Sequence, residues 1–319
     1  MKQVVIGVDV GGTNTKFGLV DREGNVIVDG SIATDTYDNV VDYQKALYES
    51  IEKVIAPLKG TIEIKGVGFG APNGNYYKGT IEYAPNLKWK GVIHFCELFK
   101  KYMNIPIVLT NDANAAAIGE GLYGGAKGMK DYIVITLGTG LGSGIVSNGE
   151  LIYGFDGFAG ELGHISVELH GRKCGCGKQG CLETYCSASG IKRTVFELLC
   201  DMTEESELRQ YNFLELSSEM IYEAALRNDP IALKAFEYTG QILGSKLADA
   251  VAFSSPEAIF LFGGLAKSGD LIFKPTCESF EENLLPIYRN KIKILPSGLQ
   301  DKNIAVLGAS ALIWKELLR

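Results

Sequence analysis

The sequence predicts an α/β protein of two domains. Three observations carry this: β-branched apolar runs alternate with helix-period segments along all 319 residues; such a length suits two domains of about 100–200 residues each; and a glycine-turned hairpin heads each half. With 46% hydrophobic and 22% charged residues the chain sits at globular averages, which excludes a fibre or a disordered tail. Its 39 glycines exceed the usual share and gather with Thr, Ser and Asn, so they mark turns rather than a linker.

From Gln3 the chain runs VVIGVDV, the turn GGTNT, KFGLV, the turn DREGN and VIVDG, an antiparallel meander of three strands. An apolar-periodic helix is expected from about Asp42 to Leu58, then a buried strand, IKGVGFGAP, ending at Pro72. The strand IPIVLT stops near Thr110, and Asn111 or Asp112 stands where an N-cap belongs before an Ala-rich helix. The hairpin layout returns from Asp131 as YIVITL, GTGLGSG, IV, SNGE and LIYG, the mark of an internal duplication. Beyond it come a Cys/Gly-rich segment at 171–187, helices near 190–200 and 217–228, and a long helix from about Ile231 to Phe253. The strand AIFLFGG, a helix near 270–284, the strand KIKIL and a closing helix from Val306 to Leu318 complete the pattern. No Pro/Ser-rich linker separates the halves. The expected division is a smaller N-terminal α/β domain, 1–112, completed by the closing helix at 303–319, and a larger one, 113–302, carrying a zinc-binding segment at 164–187.

The net charge of −7 gives no field that would draw the chain to a polyanion, so nucleic acid is not an expected partner. The start, MKQVVIGVDV, is too short an apolar run for an export signal. The uncharged stretch from Tyr132 to Asn148 is broken by Gly138, Gly140, Gly142 and Gly144, so it reads as strand, turn, strand and no membrane partner is expected. Cysteine is odd in number, with Cys174, Cys176, Cys181 and Cys186 crowded together, which favours metal over disulfides and makes the cytoplasm the expected location.

Closely spaced glycines let consecutive backbone N–H groups converge on phosphate oxygens. GGTNTK (Gly11, Gly12, Thr13, Asn14, Thr15, Lys16) and GTGLGSG (with Gly138, Thr139, Gly140 and Gly142) both meet that need. Neither matches a P-loop or a dinucleotide fingerprint, and GVGFGA at 66–71 runs into Pro72 rather than into a helix. Asp9 ends a buried strand just before its glycine turn, as a hard oxygen ligand for Mg²⁺ against those phosphates or as a turn cap. Lys16 either neutralises phosphate or is a solvated strand residue. His164, Cys174, Cys176 and Cys181 give the spacing H-x9-C-x-C-x4-C, and one imidazole with three thiolates suits a closed tetrahedral structural Zn²⁺ site. Glu161 and Glu183 are tied to the same segment, and carboxylates beside an oriented imidazole suit a polyhydroxylated ligand.

DVGGTNTK, ELGH and CGCGKQGCLE together resemble the ROK family of repressors, open reading frames and sugar kinases, and the match covers nearly the whole chain. The resemblance implies the actin-like ATPase (ribonuclease H-like) fold, two α/β domains around a central cleft, with ATP on two phosphate loops that Asp9–Lys16 and Leu137–Gly144 match here. It further implies that Gly263 and Gly264 lie on the adenosine side, that Asp112 is the catalytic base, and that Asn86, Asn111, Asp112, Glu161, His164 and Glu183 contact the sugar. APNGN at 71–75 departs from the family's P-G-P-V-D stretch, and the first strand begins too early for the repressor branch's helix-turn-helix. The expected function is therefore a Mg·ATP-dependent hexose kinase of glucokinase type acting on the 6-hydroxyl, a homodimer or homotetramer by the same resemblance. The alternatives are another sugar (fructose, mannose, allose, N-acetylmannosamine or N-acetylglucosamine), a polyphosphate donor, or a catalytically silent sugar sensor.

Overall fold

The computed structural model describes residues 1–299 and 303–318. In chain order its elements are β1 (Lys2–Val10), β2 (Asn14–Val20), β3 (Val26–Ala33), α1 (Val40–Ile55), β4 (Ile62–Gly70), β5 (Gly74–Asn75), β6 (Thr80–Glu82), β7 (Val92–Ile93), α2 (Phe95–Lys100), β8 (Ile107–Thr110) and α3 (Asp112–Tyr123). The second half contains β9 (Tyr132–Leu137), β10 (Leu141–Ser147), β11 (Glu150–Leu151), α4 (Ala188–Asp201), α5 (Ser218–Leu226), α6 (Pro230–Ser254), β12 (Ala258–Phe262), α7 (Asp270–Asn283), β13 (Lys293–Pro296) and α8 (Ile304–Glu316).

Two five-stranded sheets repeat one plan. The first has the order β3-β2-β1-β4-β8 and the second β11-β10-β9-β12-β13; a small third sheet is β5-β6-β7. In the first, β2 and β3 pair antiparallel while β1, β4 and β8 run parallel. In the second, β12 runs parallel to both β9 and β13. The recurrence of the glycine-turned hairpin in the sequence thus corresponds to a repeated strand order, each hairpin opening one sheet.

The chain divides into two compact units: Met1–Met129 with Gly144–Gly160 and Ser297–Arg319, and Lys130–Ser143 with Glu161–Pro296. This moves the boundary expected at 112, because α3 packs against α8 and falls in the first unit with it. Gly119 and Gly308 let the two backbones approach so closely that a Cβ at Gly119 would lie 2.9 Å from Gly308 Cα. The Glu120 carboxylate, 1% exposed, clamps the segment leading to α8, accepting from Ser297 Oγ at 2.5 Å and from the Gly298 amide at 2.7 Å. The boundary expected at 302, and residue 319 of the closing segment, lie outside the described residues.

In the first unit, α1 is capped by Asn39, whose side chain accepts from the Val41 amide, and buries Tyr43, Leu47, Ile51 and Ile55, a strict four-residue stripe. That stripe joins Val4, Ile6, Val8 and Phe69 of the strands in one core. The near-fingerprint glycine at 68 is a packing residue, since a Cβ there would stand 1.9 Å from the Ala309 carbonyl of α8.

Candidate functional site

In the first unit the parallel register lines up Asp9 with Gly70 and Gly70 with Thr110, so Asp9 and the Asn111–Asp112 pair lie at the same carboxyl ends of adjacent strands. Ligands of open α/β sheets bind at such ends. Asn111 is the N-cap of α3, its Oδ1 accepting from the Ala113 amide at 2.7 Å and the Asn114 amide at 3.3 Å. Asp112 therefore stands at the first helical position, where Oδ1 accepts from Ala113 at 2.8 Å and Oδ2 is not needed for capping. Asp112 as a residue is exposed. Even so, the protein packed around its carboxyl desolvates it and pushes its pKa up, against the bonds donated by the Ala113 amide and its own.

Burial likewise pushes Asp9 up to about 7, the Asp112 charge adding to the rise and Lys16 opposing it. Lys16 is the cross-strand partner of Asp9 in the β1–β2 pair, which brings its positive charge near enough to favour the ionised carboxylate. Because the folded-state value lies above the ordinary 3.8, Asp9 favours folding below about pH 4, and that contribution is lost as pH rises through 7. Asp9→Asn is thus expected to raise the stability of the ligand-free protein at pH 8 by on the order of 1–3 kcal/mol, with little change at pH 4, in thermal melts at the two pH values.

The turn after β1 is held from below. Thr15 is fully buried, its hydroxyl within 2.8 Å of Thr34 Oγ1 and 2.7 Å of Tyr43 Oη. β-strand alternation turns its side chain into the core, so any part it has in the expected nucleotide loop falls to its backbone. Gly11 donates to the Asn14 carbonyl at 3.2 Å, while among the described residues the amides of Gly12 and Thr13 have no acceptor. Asn86 lies against this turn, and a Cβ at Gly12 would stand 2.7 Å from its carbonyl.

In the second unit the turn from 138 comes after β9, and Gly263–Gly264 after its parallel neighbour β12, so both follow the carboxyl ends of adjacent strands. Gly263 has φ +108 and a Cβ there would stand 2.4 Å from the Leu137 carbonyl, which leaves glycine as the residue that fits. Gly142 lies in β10 just past the turn, and its amide donates to Thr136 Oγ1 of β9 at 3.1 Å, which removes it as a free phosphate donor. The amides of Thr139 and Gly140 have no acceptor among the described residues.

The Cys/His segment folds against this turn. A Cβ at Gly163 would stand 2.1 Å from the Leu141 carbonyl, and Ser143 Oγ accepts from the Leu162 amide at 3.2 Å. His164, Cys174, Cys176 and Cys181 each offer one ligand atom, all within 4.8 Å of one another. Cys174 Sγ lies 3.8 Å from His164 Nδ1, and Cys176 Sγ 3.7 Å from Cys181 Sγ. A tetrahedron with Zn–S bonds of about 2.3 Å has edges of about 3.8 Å, so the donor set fits zinc in both chemistry and size. Cys186 stands apart, fully buried with its thiol donating to the Thr239 carbonyl at 3.4 Å.

With Nδ1 turned to the sulfurs, His164 Nε2 faces Glu161, 4.0 Å from Oε2. Glu183 spans two elements: Oε1 accepts from the Cys174 thiol at 3.0 Å, and Oε2 accepts from the Leu141 amide at 3.4 Å. Two acceptor carboxylates and one imidazole nitrogen are thereby collected at the rim of the knuckle.

The whole-chain comparison settles the family. The ROK family model matches residues 5–316. This chain belongs to the ROK family. It is 34% identical over 285 residues to a glucokinase of Halalkalibacterium halodurans, covering 88% of this chain and 86% of that one. It is 28% identical to the xylose repressor of Bacillus spizizenii, over 98% of this chain and 77% of the repressor. Among solved structures, the ROK glucokinase of Streptomyces griseus in complex with glucose and AMPPNP superposes with a TM-score of 0.79 at 32% identity, covering 97% of this chain and 98% of that one. The actin-like fold expected from the sequence motifs is the fold of this ROK chain.

Within each unit of this ROK protein the expected residues gather as sets. Asp9, Lys16, Asn111 and Asp112 meet in the first, and the 138–144 turn, Gly263, Gly264 and the knuckle with Glu161 and Glu183 meet in the second. Sequence reasoning missed Tyr43, which hydrogen-bonds Thr15 just past the first turn, and Ser189, whose hydroxyl donates to the Thr139 carbonyl of the second. Tyr43 reads as one more apolar position of α1, and Ser189 as a residue of an ordinary helix start. Among the described residues no helix is long and apolar enough to cross a membrane.

Proposed function

We propose that this ROK chain is an ATP-dependent hexose kinase of glucokinase type, transferring the γ-phosphoryl group of ATP to the sugar 6-hydroxyl. The observation that carries the reading is the Asp112 carboxyl, placed at the carboxyl ends of the strands beside Asp9, with Oδ2 not needed for a cap that Asn111 makes, and with its pKa raised by local desolvation. The glucokinase relatives and the glucose- and AMPPNP-bound structure support it. In its ionised form Asp112 accepts the proton of the hydroxyl as that oxygen attacks the γ-phosphorus in line.

The amides of Gly12 and Thr13 and those of Thr139 and Gly140 bind phosphate oxygens, with Asn14 at the first turn, and Gly263 and Gly264 leave room for the adenosine. Asp9 would hold Mg²⁺ in this scheme: it is a hard oxygen donor beside the first turn, and the Asp112 charge, which adds to the effect of burial on its pKa, is one that a cation would relieve. Bound there, the cation would supply charge neutralisation for the phosphates. Asn86, Asn111, Glu161, His164 Nε2 and Glu183 bond the sugar hydroxyls, and the zinc, held by His164 Nδ1 and the three thiolates, would supply rigidity. A zinc-bound thiolate carries no proton, so Glu183 Oε1 is then free to accept from a sugar hydroxyl instead. We take the protein to act in the cytoplasm as a homodimer or homotetramer.

A coupled ADP-release assay over glucose, fructose, mannose, allose, N-acetylmannosamine and N-acetylglucosamine tests this reading. Glucose is expected to give the highest kcat/KM with ATP. Sugar binding without ADP release from any of the six would instead favour the sensor reading, to which the repressor relative points; turnover with polyphosphate but not ATP would replace the donor.

A further inference from the structure

The start of α4 joins the knuckle to the 138–144 turn. Ser187, fully buried, donates from Oγ to the Glu183 carbonyl at 2.6 Å and caps the helix by accepting from the Gly190 amide at 3.0 Å. One residue on, the Ala188 amide donates to the Gly138 carbonyl at 2.9 Å, and Ser189 Oγ donates to the Thr139 carbonyl at 2.8 Å. Two consecutive carbonyls of the turn are thus tied to one helix end. That end is fixed in its turn by Arg172, whose side chain is 8% exposed: Nη1 donates to the Thr184 and Gly190 carbonyls and Nη2 to Thr194 Oγ1.

A helix N-terminus commonly offers its amides to an anion. Here Ala188 and Gly190 have spent theirs on the turn and on the cap, so the helix end acts on the turn instead. A glycine turn is free to rotate its peptides, and tying down the carbonyls on either side of a peptide fixes which way its N–H points. The Gly140 amide belongs to the peptide whose carbonyl is that of Thr139, so the Ser189 bond sets its direction. The Thr139 amide belongs to the peptide whose carbonyl is that of Gly138, which Ala188 holds. These are the two amides of the turn without an acceptor among the described residues.

We propose that Ser189 is a positioning residue for the nucleotide: by holding the Thr139 carbonyl it pre-sets the Gly140 amide for a phosphate oxygen of ATP. The inference rests on the reading of this turn as a phosphate loop. Ser189→Ala is expected to weaken AMPPNP binding, measured by calorimetry, and to raise the KM for ATP, both by about five- to thirtyfold, the effect of one hydrogen bond. The KM for glucose, zinc content and Tm should stay as in the parent, and Ser189→Thr, which keeps the hydroxyl, should restore nucleotide affinity. A structural role alone would move Tm or both KM values together. Unchanged AMPPNP affinity in Ser189→Ala, an equal rise in both KM values, or failure of threonine to rescue would overturn the inference while leaving the kinase reading standing. Absence of AMPPNP binding by the unsubstituted protein would overturn both.

Discussion

Asp112→Asn is expected to leave a folded protein that hardly turns over, with kcat for glucose reduced on the order of 10²–10⁴-fold, the range for loss of a general base. The substitution is nearly isosteric, and the helix cap stays in place because Asn111 makes it. Tm should stay level, since the cap is kept and the local desolvation of this carboxyl favours its neutral form. Binding of glucose and AMPPNP should persist, because the loss concerns the proton transferred in the reaction. The same geometry sets the pH profile. The base must be ionised to act, so kcat/KM of the parent should fall as pH drops through a pKa above the ordinary carboxylate range, and that acid limb should vanish from the residual activity of the variant.

Cys181→Ala is expected to have the second largest effect. The cysteine is fully buried and its sulfur lies 3.7 Å from that of Cys176, so alanine leaves three donors where a closed zinc site needs four. Zinc measured by atomic emission should drop from one per chain to near zero. Tm should fall by roughly 5–10 °C, which corresponds to a few kcal/mol in a protein of this size. The KM for glucose should rise at least about tenfold, in line with the loss of supporting contacts around a site. His164, Glu161 and Glu183 depend on the knuckle for their directions, whereas Asp112 stands on another element, so kcat at saturating sugar should be affected less than KM. Full zinc content in the variant would exclude the ligand set; loss of zinc with an unchanged glucose KM would exclude its role in sugar binding.

Much of this architecture is legible in the residues, for identifiable reasons. Glycine turns between β-branched runs locate both hairpins, and the four-residue stripe of α1 and the long apolar period of α6 locate the helices, because burial imposes those periods. The metal ligands are legible because a knuckle closes over a short span of chain, so spacing carries its geometry. The division into units is not. The Ala-rich α3 reads as the start of the second half, and its attachment to α8 depends on Gly119 meeting Gly308 across a long sequence separation. The roles at the N-terminus of α3 are also open in the sequence, since Asn111 and Asp112 are both good caps and the backbone decides: Asn111 has the extended ψ of 149° that a cap requires. Thr15 and Gly142 sit inside phosphate-loop motifs, yet the side chain of the first and the amide of the second are bound within the protein itself. Motif spacing identifies a loop but does not say which of its polar groups remain unclaimed.

The most direct test of the account is the ³¹P NMR spectrum of the products formed from ATP and glucose by the parent protein and by Asp112→Asn at equal concentration. The expected result is glucose 6-phosphate and ADP in equal amounts from the parent, and almost none of either from the variant. Phosphate on another hydroxyl, or undiminished formation of glucose 6-phosphate by Asp112→Asn, would contradict it.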